Sequence, residues 1–281
     1  MKSISPLRYP GGKAKIYNYI KNIIDTNELT GTTYIEPFAG GAGLALKLLH
    51  KGDVSSIILN DFDFSIYNFW SAVLYHSEDF IKKMVDTSVT IDEWKKQKEI
   101  YLKGANEFDL NFAFATFFLN RTNISGIIKG GAIGGLEQKG NYGIDARFNK
   151  ADLVKRIQLI ASISSKIQLY NMDGVEFIKT VLPEKQKVFV NFDPPYVSKA
   201  SGLYKNSFNE DDHIKLSKAI KACPDKWVLT YDVCPLIRDL YKDFENEYLD
   251  IVYTARTKCK AQEYIFFSKD IIIPNGISTA V

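Results

Sequence analysis

Thr33-Tyr-Ile-Glu-Pro-Phe-Ala-Gly-Gly-Ala-Gly43 runs directly into Leu44-Ala-Leu-Lys-Leu-Leu-His50, and this passage decides the fold. Thr33–Glu36 is a short β-rich run, the glycines that follow break it, and Leu44–His50 is built of helix formers. Strand, glycine turn and helix in that order open a parallel sheet. Working outward, Ser56-Ile-Ile-Leu-Asn60 reads as a second strand ending at Asp61. Further strands are expected at Ile167–Tyr170, Val188–Phe192, Trp227–Tyr231, Tyr248–Tyr253 and Tyr264–Phe267, with helices at Glu210–Ala222 and Pro235–Phe244. Alternating strands and helices predict an α/β protein with a doubly wound, mainly parallel sheet covered on both faces. The last two strands are close in sequence, so they should pair antiparallel at one side of it.

A block at 64–150 interrupts this alternation. Apolar residues recur at helical spacing through Phe69, Val73 and Leu74, and again through Phe112, Ala115, Phe118 and Leu119. Residues 121–148 then carry seven glycines (126, 130, 131, 134, 135, 140 and 143) between short apolar pieces, which predicts turns and a β-hairpin. A helix restarts behind Asn149 as N-cap, with Asp152 placed to complete a capping box. The expected division is therefore a main domain of 1–63 with 151–281 and an inserted helical plus hairpin subdomain of 64–150.

With 281 residues, 46% hydrophobic and 25% charged, the chain is long enough for a sizeable core and too apolar for disorder. Residues 1–30 show no apolar segment followed by a small-residue cleavage site, and no run reaches about 18 apolar residues, so neither signal peptide nor membrane span is expected. Cys223, Cys234 and Cys259 read as free thiols in a reducing compartment, which points to the cytoplasm. His50, His76 and His213 stand far apart with no cysteine partner, so no metal site is expected. Net charge is +3, yet the segment from Arg121 to Arg156 alone carries +4. That is either a phosphate-contacting face or an ordinary solvated loop.

Two constellations carry chemistry. In a doubly wound sheet the first βα turn lies against the ligand, and glycine lets the backbone approach it closely. Phe38–Gly43 sits in that place, and Asp61 follows Gly40 by 21 residues, where a carboxylate would accept the hydroxyls of a ribose. The spacing is not that of a dinucleotide loop, so a single nucleoside without a pyrophosphate is favoured. Asp61 also has a plainer reading as the cap of the following helix.

The second constellation is Asn191-Phe-Asp-Pro-Pro-Tyr196, directly after a buried strand. Pro194 and Pro195 stop the sheet and stiffen the loop at its ligand-binding edge. Asp193 and the backbone carbonyl of Pro194 can each accept one N–H of an exocyclic amine. Together they favour a pyramidal nitrogen whose lone pair is free to attack. Tyr196 would offer the base a flat face, a stack typically worth ~1–3 kcal/mol. Cys223-Pro224 and Cys234-Pro235 have the wrong order for a Pro-Cys nucleophile of the cytosine-C5 type.

With these motifs in place, the chain resembles the Dam-type N6-adenine DNA methyltransferases along nearly its whole length. Arg8-Tyr-Pro-Gly-Gly-Lys13 looks like that family's N-terminal motif, Glu36–Gly40 its glycine loop, Asp61 its ribose-binding acid and Asp193–Tyr196 its catalytic motif. The resemblance implies the fold of S-adenosylmethionine-dependent methyltransferases and a methyl transfer to adenine N6 in double-stranded DNA. It implies S-adenosylmethionine contacts at Tyr9, Lys13, Phe38, Gly40, Asp61, Asp173 and Asp193, and catalysis at Asp193, Pro194, Pro195 and Tyr196. The 64–150 block corresponds to the family's target-recognition domain, with Asn120, Arg121, Asn123, Lys129, Lys139 and Arg147 as candidate DNA contacts. A cognate restriction endonuclease is an implied partner. The family's loop often carries glycine where this chain has Ala42.

Plainer readings stand beside these. Tyr9 and Lys13 could belong to a helix-entry turn, Asp173 could be an N-cap with Glu176 as its box partner, and Arg121 could pair with a surface carboxylate. Two rival functions are an RNA or protein-glutamine methyltransferase with a similar site and a catalytically inactive DNA-binding regulator. Asp193 argues against the first, whose members carry asparagine there, and the intact tetrapeptide argues against the second.

Overall fold

The structure, a computed structural model, describes residues 4–9, 11–197, 208–254 and 258–274. The side chain of Cys259 lies outside the described parts. The chain divides into two compact units, one of residues 12–63 with 166–281 and the other of residues 1–11 with 64–165.

The first unit holds the sheet. Its strands are β1 (Thr33–Glu36), β2 (Ser56–Asn60), β3 (Ile167–Tyr170), β4 (Val188–Phe192), β5 (Lys226–Asp232), β6 (Asn246–Thr254) and β7 (Lys258–Phe267), in the order β3-β2-β1-β4-β5-β7-β6. The strands β3, β2, β1, β4 and β5 pair in parallel. β7 runs antiparallel to both β5 and β6, which is the expected pairing of the last two strands. β4 is buried at every position, because helices cover both faces and each Val, Phe or Asn side chain meets protein on either side. Helix α1 (Tyr17–Thr26) precedes β1, and α2 (Gly43–Lys51) follows it. From β1 the chain winds outward through β2 and β3, then returns to β4 beside β1 and winds the other way. The order therefore reverses between β1 and β4, and ligands of open α/β sheets sit beyond the carboxyl ends of the strands at such a point. The glycine loop leaves β1 there, and Asp193 leaves β4 beside it.

Ala42 precedes α2 with φ 46° and ψ 28°. That is the left-handed region, which costs an L-residue roughly 1–2 kcal/mol and favours glycine. Ala42 thus carries the strain that a glycine would not have there.

The second unit consists of α3 (Phe64–Tyr75), α4 (Ser77–Asp86), α5 (Ile91–Lys103), α6 (Leu110–Thr122) and α7 (Lys150–Ser162). Its core is aromatic: Phe69 stacks on Phe117 at 5.8 Å, and Phe80, Phe114, Phe118 and Phe148 close around them edge-on or tilted. The boundaries differ from the expected 64–150. Helix α7 packs on α3 and α4, since Leu153, Ile157 and Ile160 form a fully buried stripe. The start of the chain joins the same unit because Asn120 clasps Arg8 (below). Asn149 caps α7, accepting from the amide of Asp152 at 3.0 Å.

The expected hairpin takes the form of one antiparallel bridge, Asn123 to Ala132, flanked by Ile124 N–H to Gly131 O at 3.0 Å and Ile133 N–H to Thr122 O at 2.9 Å. Glycine-rich backbone does not hold a longer ladder, and the side chain of Gln138 does the work instead. It donates to Ile133 O at 2.8 Å and Gly135 O at 2.6 Å, and accepts from Ile144 N–H at 2.8 Å.

Candidate active site

The ends of β1, β2 and β3 are tied together by side chains of β2. Asn60, fully buried, donates to Pro37 O at 2.9 Å and Met172 O at 3.0 Å, and accepts from Met172 N–H at 2.9 Å. Asp61 accepts from Gly40 N–H at 2.7 Å through Oδ2 and from Asp63 N–H at 2.9 Å through Oδ1. Burial pushes the Asp61 carboxyl up to about 7, against the pull of those two N–H donors. The acid therefore clamps the glycine loop, joining the two residues that the sequence spacing singled out. Gly40 has φ 46°. Phe38 lies over the start of α8 (Gly174–Thr180), where a Cβ on Gly174 would fall 2.5 Å from its ring. Asp173 is the N-cap of α8, accepting from Val175 N–H at 2.9 Å and Glu176 N–H at 3.1 Å. Phe38, Gly40, Asp61 and Asp173 thus line the same edge of the sheet. An apolar ring, close-approach glycines and two carboxylates fit the adenosine part of S-adenosylmethionine.

Next to this edge, the turn after β4 is held from three sides. Lys13, buried in the turn before α1, donates to Asp193 Oδ1 at 2.8 Å and to the Tyr196 hydroxyl at 2.8 Å, and lies 3.4 Å from Glu263 Oε2. Thr230 of β5 donates to the same Asp193 Oδ1 at 2.8 Å. The Tyr196 hydroxyl donates to Glu263 Oε2 at 2.7 Å, with Asp193 Oδ1 3.2 Å away. Asp232, at the end of β5, accepts from Val197 N–H at 3.1 Å and fixes the exit of the turn. All described bonds to the Asp193 carboxylate fall on Oδ1. Oδ2 is the oxygen left to accept from a substrate, on a side chain 24% exposed. Glu36 lies nearby, its carboxyl raised to about 8 by burial and by the charge of Asp193. It is held largely protonated at neutral pH, which limits the negative charge crowded around Asp193.

Two of the expected site residues are held by protein partners here. Tyr196 is 6% exposed, its ring 5.9 Å from that of Tyr231, so in this conformation it presents no flat face for a base. The reason is its hydroxyl, which finds buried partners in Lys13 and Glu263. Lys13, expected at the cofactor, has its ammonium committed to Asp193, Tyr196 and Glu263. Tyr9, half-buried, belongs to the other unit. Pro194 is buried and Pro195 half-buried, as the stiff exit of a core strand requires.

Among the six candidate DNA contacts, two are corrected outright. Asn120 is 1% and Asn123 0% exposed. Asn120 accepts from Arg8 N–H at 2.8 Å and donates to Arg8 O at 2.8 Å and Gly126 O at 2.9 Å. Asn123 donates to Ile127 O and Ile128 O at 2.9 and 2.8 Å and accepts from the Trp94 indole at 2.6 Å. A buried amide offers both donors and an acceptor to backbone that has no ladder, so these residues build the loop from within. Arg121 is half-buried, donating to the carbonyls of Arg147 and, at 3.4 Å, Pro6. Burial, with Arg8 and Arg156 close by, lowers its guanidinium to about 9. Lys129, Lys139 and Arg147 are exposed. Lys139 pairs with Glu137 at 2.6 Å, and the Arg147 guanidinium sits 5.8 Å from the ring of Tyr142.

Removing Asn120 should therefore cost stability. Asn120→Ala leaves three backbone groups without partners and is expected to destabilise the protein by about 2–3 kcal/mol, read as a lower urea midpoint. An unchanged midpoint would overturn this structural role for Asn120.

Sequence reading missed Asn60, Thr230, Asp232 and Glu263. A signal existed for the last two. Glu263 opens the apolar run Tyr264–Phe267, and Asp232 stands opposite it in the β5–β7 ladder. Like charges opposed across strands are unfavourable, so an internal pair implies a cation, and Lys13 is beside Glu263. Among the described residues no group of His, Cys, Asp and Glu could hold a metal ion, and no helix is long and apolar enough to cross a membrane.

A mainly parallel sheet, with a glycine loop clamped by a carboxylate beside a proline-stiffened acidic turn, fits an S-adenosylmethionine-dependent methyltransferase. More particularly, residues 9–255 match the model of the D12 class N6 adenine-specific DNA methyltransferases, and the chain belongs to that family. It is an adenine-specific DNA methyltransferase that takes its methyl group from S-adenosylmethionine. The chain is 26% identical over 230 residues to the type II methyltransferase M.MjaIII of Methanocaldococcus jannaschii, spanning 75% of this chain and 77% of that one. It is 23% identical to the type II methyltransferase M1.LlaDCHI of Lactococcus lactis subsp. cremoris over 95% and 94%. To M.CviBI, a type II methyltransferase of Paramecium bursaria Chlorella virus NC1A, it is 23% identical over 89% and 93%.

Proposed function

We propose that this enzyme methylates an adenine turned out of the DNA duplex, with Asp193 Oδ2 and the carbonyl of Pro194 accepting the two N–H groups of the N6 amine. The observation that carries this reading is the asymmetry of Asp193: one oxygen is saturated by protein donors and the other is left open. A carboxylate held that way is preorganised for charge developing on the amine nitrogen. When bound, S-adenosylmethionine supplies the methyl group; Asp61, Phe38, Gly40 and Asp173 hold its adenosine portion. The target base reaches Asp193 only by leaving the stack. Residues 64–165 carry target recognition, with Lys129, Lys139 and Arg147 as the exposed cations that meet phosphate or base edges. The three type II relatives support a role as the modification partner of a restriction endonuclease, in the cytoplasm where DNA is available.

Long-read sequencing of DNA from cells expressing the protein tests the reading, since it reports modified base and target sequence together. N6-methyladenine within one short sequence is the expected result. Unmodified DNA from cells with soluble protein would favour the inactive regulator, and methylation confined to RNA would favour the RNA-directed rival.

A further inference from the structure

Glu263 of β7 is a carboxylate immediately before the apolar run Tyr264–Phe267, 0% exposed, and the reaction as described makes no use of it. Burying a carboxylate is expensive unless it is paired and hydrogen-bonded. Here the pairing is specific: Glu263 Oε2 accepts from the Tyr196 hydroxyl at 2.7 Å and faces Lys13 Nζ at 3.4 Å. Both partners belong to the Asp193 turn. Lys13 donates to Asp193 Oδ1 and to the Tyr196 hydroxyl, each at 2.8 Å. Because the hydroxyl accepts from Lys13, its own proton is free to go to Glu263, which fixes the ring of Tyr196 and with it the turn.

We infer that Glu263 is a positioning residue for methyl transfer: it anchors Lys13 and Tyr196 so that Asp193 is held by Oδ1 and presents Oδ2 to the substrate amine. Without the Glu263 charge, Lys13 has one carboxylate partner where it had two, and it can swing to bridge both oxygens of Asp193. That would engage the oxygen the amine needs. Tyr196 would meet only a weaker, uncharged acceptor there and turn its proton toward Asp193 Oδ1, 3.2 Å away. Each change weakens Asp193 as an acceptor without touching the nucleoside edge at Asp61. The inference rests on the reading of Asp193 as the amine acceptor.

The test uses full-length protein, S-adenosylmethionine and a duplex containing the site found by sequencing. Glu263→Gln keeps size and an acceptor but removes the charge. It is expected to lower single-turnover kcat roughly 10- to 100-fold, the scale of a misaligned reacting group, with KM for S-adenosylmethionine and DNA within threefold of wild type. Glu263→Asp should recover part of the rate. A loss in kcat matched by equal rises in both KM values, or a rate within threefold of wild type, would overturn the inference. If Glu263→Gln fails to fold, Lys13→Met/Glu263→Gln removes both charges and keeps the question open to measurement. Its rate should fall no further than that of Lys13→Met alone, because both residues act through one atom of Asp193. Losses that multiply would mean that they act independently and would overturn it. Failure of the underlying reading looks different: Asp193→Asn would itself remain active, and Glu263→Gln would have no acceptor to misplace.

Discussion

Asp193→Ala should abolish methyl transfer, lowering the single-turnover rate by at least about 10³-fold, while the protein stays folded and binds S-adenosylmethionine. The fold survives because Lys13 keeps Glu263 and the Tyr196 hydroxyl as partners, so no buried ammonium is stranded. The chemistry fails because the amine loses the acceptor that draws on one of its N–H bonds as positive charge builds at nitrogen. Asp193→Asn should be impaired almost as severely. The amide is neutral, and two donors, Lys13 and Thr230, converge on the position of Oδ1. They oblige the amide to place its oxygen there and its NH₂ toward the substrate amine, donor against donor. Methyl transfer is measured with labelled S-adenosylmethionine and saturating duplex. Activity within threefold of wild type in either variant would remove Asp193 from the centre of the reaction.

Asp61→Ala should weaken S-adenosylmethionine binding by about 100-fold, the loss of two charge-assisted hydrogen bonds totalling about 3 kcal/mol. The effect also depends on pH. In the free protein the Asp61 carboxyl titrates near 7, raised chiefly by burial, and only the ionised form accepts from both ribose hydroxyls. Below that pH the ionised fraction falls about tenfold per unit. Wild-type Kd should accordingly be roughly tenfold weaker at pH 6 than on the plateau above pH 8, and Asp61→Asn should flatten the dependence. The sign for stability is opposite. Asp61 and Glu36 both have folded values above their unfolded ones, about 7 and about 8, so the native state binds more protons than the unfolded chain. Their contribution is present below pH 4 and is lost as pH rises through 7 to 8. The free enzyme should therefore lose thermal stability over the interval in which cofactor affinity improves. Calorimetric titration across the pH range measures the affinity, and a flat wild-type profile would leave Asp61 as a clamp on the glycine loop alone.

The sequence by itself determined what depends on neighbours along the chain. β-formers, a glycine turn and helix formers at 33–50 make one βα unit, whatever packs on it. Two consecutive prolines end β4 where they stand, because proline has no N–H for the ladder. The 21-residue step from Gly40 to Asp61 is one βαβ unit, and their hydrogen bond follows from it. Tertiary structure decided the fate of polar side chains whose partners lie far away. Asn120 meets Arg8 112 residues off, Lys13 meets Tyr196 183 residues off, and Tyr196 meets Glu263 67 residues off. Nothing local distinguishes a surface asparagine that reads DNA from a buried one that replaces a missing ladder, or a tyrosine that stacks on a base from one that bridges a lysine and a glutamate. A buried polar group must find a partner, and which partner it finds is settled only when remote segments close around it.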